Sequence, residues 1–356
     1  MKFTLLALLI FTKIKTKPVI LMNFFFFKKL LYLPRTVLTI LRQLKAQRIF
    51  LHSNIKPLLQ DALIHNDGSL DETDFKKITH YYGLAVPAIL GEAFCILQGR
   101  SMTVQERWAS TCQGAMTGLF DDFFDKDYMD DTVLKKKIAV ENKNIAQKSN
   151  EKLFDIFYEK ALTAVPDKNY MQEALFAVYE AQVKSKQQTD ISLTAEAIES
   201  ITLEKGGVSL LFYRTAFLPH PAADEILLLY HLGGTMQLAN DIFDVYKDRE
   251  KNIRTLMTET RNVQSVRRLL TSRWQYASNE AYKLNYSPAS VQQFLEILFL
   301  GIFSRCFVCL DQLEKIEKIT AHQFNVQLYS RSQLVCDMDT NKNMLRSAAY
   351  SIKKIQ

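Results

Sequence analysis

Gln237-Leu238-Ala239-Asn240-Asp241-Ile242-Phe243-Asp244-Val245-Tyr246-Lys247-Asp248 closes a largely apolar run that starts near Ala222 and holds no proline. A run of that length is too long for a strand and reads as one helix over about 222–249. Asn240, Asp244 and Asp248 then fall at i, i+4 and i+8, an oxygen-only stripe on one helix face. Upstream, Phe120-Asp121-Asp122-Phe123-Phe124-Asp125 places carboxylates at i and i+4 with a third beside them, in apolar surroundings. Like charges so close repel, and the cluster is costly unless a cation neutralises it. Taken alone, it also reads as an acidic helix end open to water. Asp127, Asp130 and Asp131 extend the acidity, but the glycine and final glutamate of an EF-hand are missing.

The same poverty of breakers runs through all 356 residues. Glycine (11) and proline (8) stand at about half of average usage, which excludes a β-sandwich or barrel and predicts an all-α protein. With 48% hydrophobic and 23% charged residues the chain can bury a sizeable core. Ser69-x-x-Glu72 and Thr103-x-x-Glu106 read as capping boxes, the second opening a helix through Trp108, Met116 and Phe120. Further helices are expected at 138–164, 168–187, 193–218 with an interruption at Gly206-Gly207, 260–284, 288–317 and 320–350. No repeat or linker divides the chain after residue 35, so residues 36–356 read as one helical domain behind an apolar, basic N-terminal extension, residues 1–35.

The net charge of +7 is unevenly placed. Residues 1–60 hold eleven basic side chains and no acid, the first acid being Asp61, and the remainder is net −4. That distribution, with no nucleic-acid-binding motif, excludes a general nucleic-acid surface. The runs Phe3–Thr12 and Pro18–Phe27 are half the roughly 20 residues a membrane span needs, so they permit peripheral attachment to a membrane surface but not crossing. No small-residue cleavage site follows them, which weighs against a signal peptide. Five cysteines, Cys95, Cys112, Cys306, Cys309 and Cys336, lie in apolar stretches and fit reduced, buried thiols of a cytoplasmic protein. Cys306-x-x-Cys309 has no second ligand pair for zinc. No G-x-S-x-G, Walker or G-x-G-x-x-G motif is present, which removes the common hydrolase, P-loop and dinucleotide classes.

Oxygen-only ligand stripes suit Mg²⁺, which keeps waters and is commonly held between carboxylates and substrate phosphates. Arg249, Lys251 and Arg254 follow the second stripe at once, as phosphate contacts or as a solvated helix end.

The pairing of Asp121-Asp122-x-x-Asp125 with Asn240-x-x-x-Asp244-x-x-x-Asp248, on helices of a chain of this size, resembles the class I isoprenoid (terpenoid) synthase superfamily over roughly residues 70–350. The resemblance implies a helical bundle around a central apolar cavity, with the two motifs facing each other. It implies three Mg²⁺ ions, or Mn²⁺, on Asp121, Asp122, Asp125, Asn240, Asp244 and Asp248, with Asp121, Asp122, Asn240 and Asp244 essential to catalysis. The substrate it implies is an isoprenyl diphosphate, its phosphates met by Lys205, Arg214, Arg249, Lys251 and Arg254. It is also compatible with a homodimer. Lys205-Gly206-Gly207 resembles the kinked helix beside the diphosphate in several superfamily members, or is a simple loop. Tyr329 and Arg331 resemble, in another order and spacing, a C-terminal Arg-Tyr pair of bacterial cyclases. Phe94, Trp108, Phe123, Phe212 and Phe243 are expected first as core and second as cavity wall.

The second motif mixes features. Asn240 with ligands four and eight residues on is similar to the terpene cyclase triad N-x-x-x-S/T-x-x-x-E, with Asp in place of both later ligands. Gln237-Leu238-x-Asn240-x-x-x-Asp244-Val245-x-x-Asp248 is similar to squalene and phytoene synthases, and Gln237 with Asp241-x-x-Asp244 to chain-elongating prenyl diphosphate synthases. Elongation is disfavoured because Gly99-Arg100 is only a fragment of the G-K-x-x-R-P segment. The expectation is a terpene synthase, a lyase that ionises one allylic diphosphate and cyclises the cation. The alternatives are a prenyltransferase of the squalene/phytoene or prenyl diphosphate synthase type, and a non-catalytic prenyl-lipid-binding or membrane-associated helical protein.

Overall fold

The computed structural model describes residues 24–126, 129–140, 146–321 and 323–352. Among them there is no strand, and the fold is all-α. Its long helices are α1 (Phe24–Phe50), α2 (Val104–Asp125), α3 (Ser149–Ala164), α4 (Lys168–Ser185), α5 (Ala195–Arg214), α6 (Ala223–Phe243), α7 (Val263–Ala281), α8 (Pro288–Leu298), α9 (Ser304–Glu317) and α10 (Asn341–Ile352). Residues 72–97 add a bent helical stretch with two π turns, Lys77–Tyr81 and Val86–Gly91. Five of these ten helices start at a side-chain cap that satisfies an orphan backbone N–H: Thr103 with Glu106 for α2, Asp167 for α4, Thr194 for α5, Asn262 for α7 and Ser287 for α8.

Four local expectations change. The box near residue 70 is built by Asp71 and Asp74, not by Ser69 and Glu72. Ser69 instead accepts from the Asn150 backbone N–H, which ties the turn to α3. The segment expected to be helical over 138–164 is helical over Asp131–Ile138 and again in α3, because the chain turns left-handed at Val140 (φ 56°). The expected 320–350 helix is broken into short turns before α10, beginning at left-handed Ala321 (φ 54°). There Asn325 bonds a nearby backbone N–H and Ser330 forms a capping box with Gln333, alternatives that compete with a continuous helix.

The fourth concerns Gly206-Gly207. Helix α5 runs through the pair without interruption. A Cβ on Gly206 would lie 2.1 Å from the Gly233 carbonyl oxygen, and one on Gly233 would lie 2.2 Å from that of Gly206. The glycines therefore serve a close crossing of α5 over α6, whose Gly233-Gly234 pair faces them; Gly234 meets Leu203, and Gly207 the ring of Tyr230. The close approach brings Thr202 and Lys205 of α5 beside the acidic end of α6.

Core packing is dominated by Phe94, Phe123, Phe154, Phe157, Phe294, Phe303 and Phe307, all essentially inaccessible. All five cysteines are free thiols, and Cys306 and Cys309 are buried in α9. Helix α1 runs across residue 35. Thr36 donates to Glu296 of α8, and Gln47 donates to the Gly83 carbonyl and to Thr111 of α2. Of the N-terminal extension, residues 1–23 lie outside the described residues, as does Asp127.

Candidate active site

A cavity of about 1050 Å³ opens between the 72–97 stretch, α2, α4, α5 and α6. Its deeper wall is apolar, with Val86, Leu90, Met116, Leu175, Leu210 and Met236, and is faced by the aromatic rings of Tyr82, Phe120, Phe124, Phe212 and Tyr213. Of the five aromatics read first as core and second as wall, Phe212 alone lines it. Phe94 packs on Phe217, Trp108 on Phe50 and Phe123 on Phe154, while Phe243 lies under the Arg305 guanidinium. The missed rings are Tyr82, Tyr213, Phe120, which precedes Asp121, and Phe124, which precedes Asp125.

The last turns of α2 carry Asp121 and Asp122 to one side of this cavity. Asp125 ends the helix, and its side chain lies outside the described residues. Gln182 of α4 donates to Asp121. Lys77 donates to both oxygens of Asp122, at 2.7 and 2.6 Å, and Lys126 lies 3.2 Å from it. Burial opposes ionisation of Asp122, but hydrogen bonds with Asp74 and Lys77 outweigh it and hold its carboxyl below the usual range. Asp74 is pushed the other way, by burial and by Asp122. Lys126 reaches Asp74 as well, at 3.1 Å. Lys77, Lys126 and Asp74 were not singled out by the sequence, where isolated lysines and a capping aspartate carry no signal.

Asn240, Asp241, Asp244 and Asp248 line the same cavity with Gln237. The long helix expected over 222–249 bends at Asp244 (φ −90°, ψ 7°), and Val245–Glu250 continues it. The i+4 backbone bonds from Asp244 to Asn240 and from Asp248 to Asp244 persist through the bend, at 2.8 Å each, so the stripe stays on one face. Asp241 is buried and accepts from Gln237 at 3.0 Å and Thr202 at 3.3 Å. Burial pushes its carboxyl up to about 6. Burial, then the charges of Asp241 and Asp244, push Asp248 up to about 8.

These are carboxylates short of positive charge, and the donors are all oxygen, which fits Mg²⁺. Among the described residues no three acids, histidines or cysteines converge tightly enough to hold a metal on protein ligands alone.

The basic residues divide. Lys205 and Lys251 line the cavity, together with Lys186 and Lys247. Arg214, expected on the phosphates, is instead fully buried. It pairs with Glu225 at 2.8 Å and donates to the Phe217 and Pro219 carbonyls, because the chain reversal after α5 leaves those oxygens without helical partners. Arg249 turns away to the Val326 and Tyr329 carbonyls, and Arg254 to those of Asp190, Ile191 and Leu193. Both arginines tie loops to the helix end. Tyr329 is buried against Phe324, and Arg331 lies over the Tyr246 ring.

No family model matches this chain, and no curated protein does. The chain is similar to a solved structure, a dehydrosqualene synthase in complex with ligand: 14% identity over 79% of this chain and 96% of that one, with a TM-score of 0.43.

Proposed function

We propose that this chain is a class I isoprenoid synthase that ionises an allylic isoprenyl diphosphate with Mg²⁺ and cyclises or rearranges the cation. The observation that carries this reading is that two acidic groups about 120 residues apart, Asp121 with Asp122 and Asn240 with Asp244 and Asp248, face one apolar cavity.

Heterolysis of the allylic C–O bond sends the electron pair out with the diphosphate and leaves a carbocation in the apolar part. Bound Mg²⁺ supplies electrostatic stabilisation to that departing charge. Asp121, Asp122, Asn240, Asp244 and Asp248 would hold the metal, and Lys205 and Lys251 would meet phosphate oxygens, all of them lining the cavity. Gln237 and Thr202 fix the Asp241 carboxyl behind them. Tyr82, Phe120, Phe124, Phe212 and Tyr213 offer π faces to the cation and exclude water. The rearranged cation becomes neutral by losing a proton to the released diphosphate.

One observation favours a second reading, prenyl transfer between two allylic diphosphates. Lysines stand near both acidic groups: Lys77 and Lys126 pair with Asp122, Lys186 lies over the neighbouring Phe124, Lys247 pairs with Asp244, and Lys205 and Lys251 line the same cavity, which gives counter-charge for two diphosphates.

The test is incubation of the purified protein with geranyl, farnesyl and geranylgeranyl diphosphates, with and without Mg²⁺. Diphosphate release and the mass of hexane-extracted products are then measured. Metal-dependent release with a product from one substrate supports cyclisation, and a product from two supports transfer. No release from any substrate defeats both.

A further inference from the structure

The outward side of α1 carries a second kind of surface. Arg35, Arg42, Lys45 and Arg48 are all exposed there, and Lys56 continues the series just beyond. Between them stand two large apolar side chains, Leu38 at 50% and Ile49 at 58% exposure. Positions 35, 38, 42, 45 and 49 alternate steps of three and four, so they form one stripe about 20 Å long at 1.5 Å per residue. The opposite face is locked to the body: Leu33, Thr36, Gln43 and Gln47 are buried, with the Thr36 and Gln47 hydrogen bonds already described. The stripe is therefore held facing outward. Among the described residues no carboxylate pairs with any of its cations, and the sequence has no acid before Asp61.

We propose that this face docks onto an anionic phospholipid surface. The cations sit at headgroup depth, and Leu38 and Ile49 enter the boundary between headgroups and acyl chains. Charge complementarity alone would also suit a nucleic acid, but its phosphates give Leu38 and Ile49 nothing to be buried in, whereas a bilayer serves both residue types. Attachment is at the surface. Among the described residues, the two helical stretches long and apolar enough to span, Glu72–Leu97 and Pro288–Thr320, have 61% of their apolar windows buried within the fold.

The experiment is co-sedimentation of the full chain with vesicles of phosphatidylcholine, alone or mixed with phosphatidylglycerol, at low and high salt, with duplex DNA as competitor. The variants are Arg42→Glu/Lys45→Glu and Leu38→Ser/Ile49→Ser, checked for folding by circular dichroism. Wild type should pellet with anionic vesicles only and be released by salt, as the Debye length falls from about 10 Å at 0.1 M to about 3 Å at 1 M. At about fivefold per surface cation, the double charge reversal should weaken partitioning at least 25-fold. The serine pair should weaken it while leaving the salt dependence. Unchanged binding by the charge-reversed protein overturns the proposal and puts attachment on another segment. So does binding to DNA that matches the vesicles and is indifferent to the serine pair.

Discussion

Asp248 is a carboxyl that the fold makes hard to ionise. Its folded value of about 8 stands against about 4 for an unfolded aspartate. The native state binds this proton more tightly than the unfolded chain does, so Asp248 costs stability as pH rises from about 4 to about 8. In chelator, Asp248→Asn should therefore be more stable than wild type at pH 7, by on the order of 4 kcal/mol, with the gain vanishing near pH 4. Thermal melts at the two pH values check this, and an equal or lower melting temperature at pH 7 would contradict it. Asp122 is the opposite case, because Lys77 and Lys126 already neutralise it. A divalent cation arriving there has to displace an ammonium group. Lys77→Met should bind Mn²⁺ roughly tenfold more tightly in the absence of substrate, as read by electron paramagnetic resonance. Unchanged affinity would mean that Asp122 is not where the metal binds.

At the scale of elements, the α5–α6 crossing holds the second motif in place. Gly206→Ala puts a methyl group 2.1 Å from the Gly233 carbonyl, and backbone on both sides has to move. The expected loss is about 3 kcal/mol, the upper range for overpacking, measured by denaturant unfolding. Were the pair a helix break or an exposed helical site, alanine would be neutral or stabilising by about 1 kcal/mol, so the sign discriminates. A crystal structure or carbonyl-sensitive spectrum of the variant should also show Asp241 parted from Thr202, since that bond spans the same crossing.

For the whole molecule, α1 is part of the body as well as a surface. A chain shortened to begin at Met22 should fold and keep its turnover. One beginning at Leu51 should not fold stably, because it removes the buried Gln47 with its bonds to Gly83, Thr111 and Arg107, and uncovers the apolar surface on which Leu33 and its helix pack. Circular dichroism and turnover of the two shortened chains check this pair of outcomes.

Local rules were enough for much of this protein. Scarcity of glycine and proline forecast helices, Thr103 and Glu106 marked the start of α2, and spacings of four showed that Asn240, Asp244 and Asp248 share a face, since all three depend on neighbours within a turn or two. What lies between elements was decided only by tertiary packing. Glycines at 206 and 207 look like a break to any local rule, and the carbonyl they make room for is contributed by Gly233, 27 residues away. Arg214 and Lys205 are equally cationic in sequence, yet one is sealed against Glu225 and the other faces the cavity, because burial and pairing depend on which helix arrives opposite. Lys77 carries no mark of its meeting with Asp122, 45 residues on, until the chain has folded.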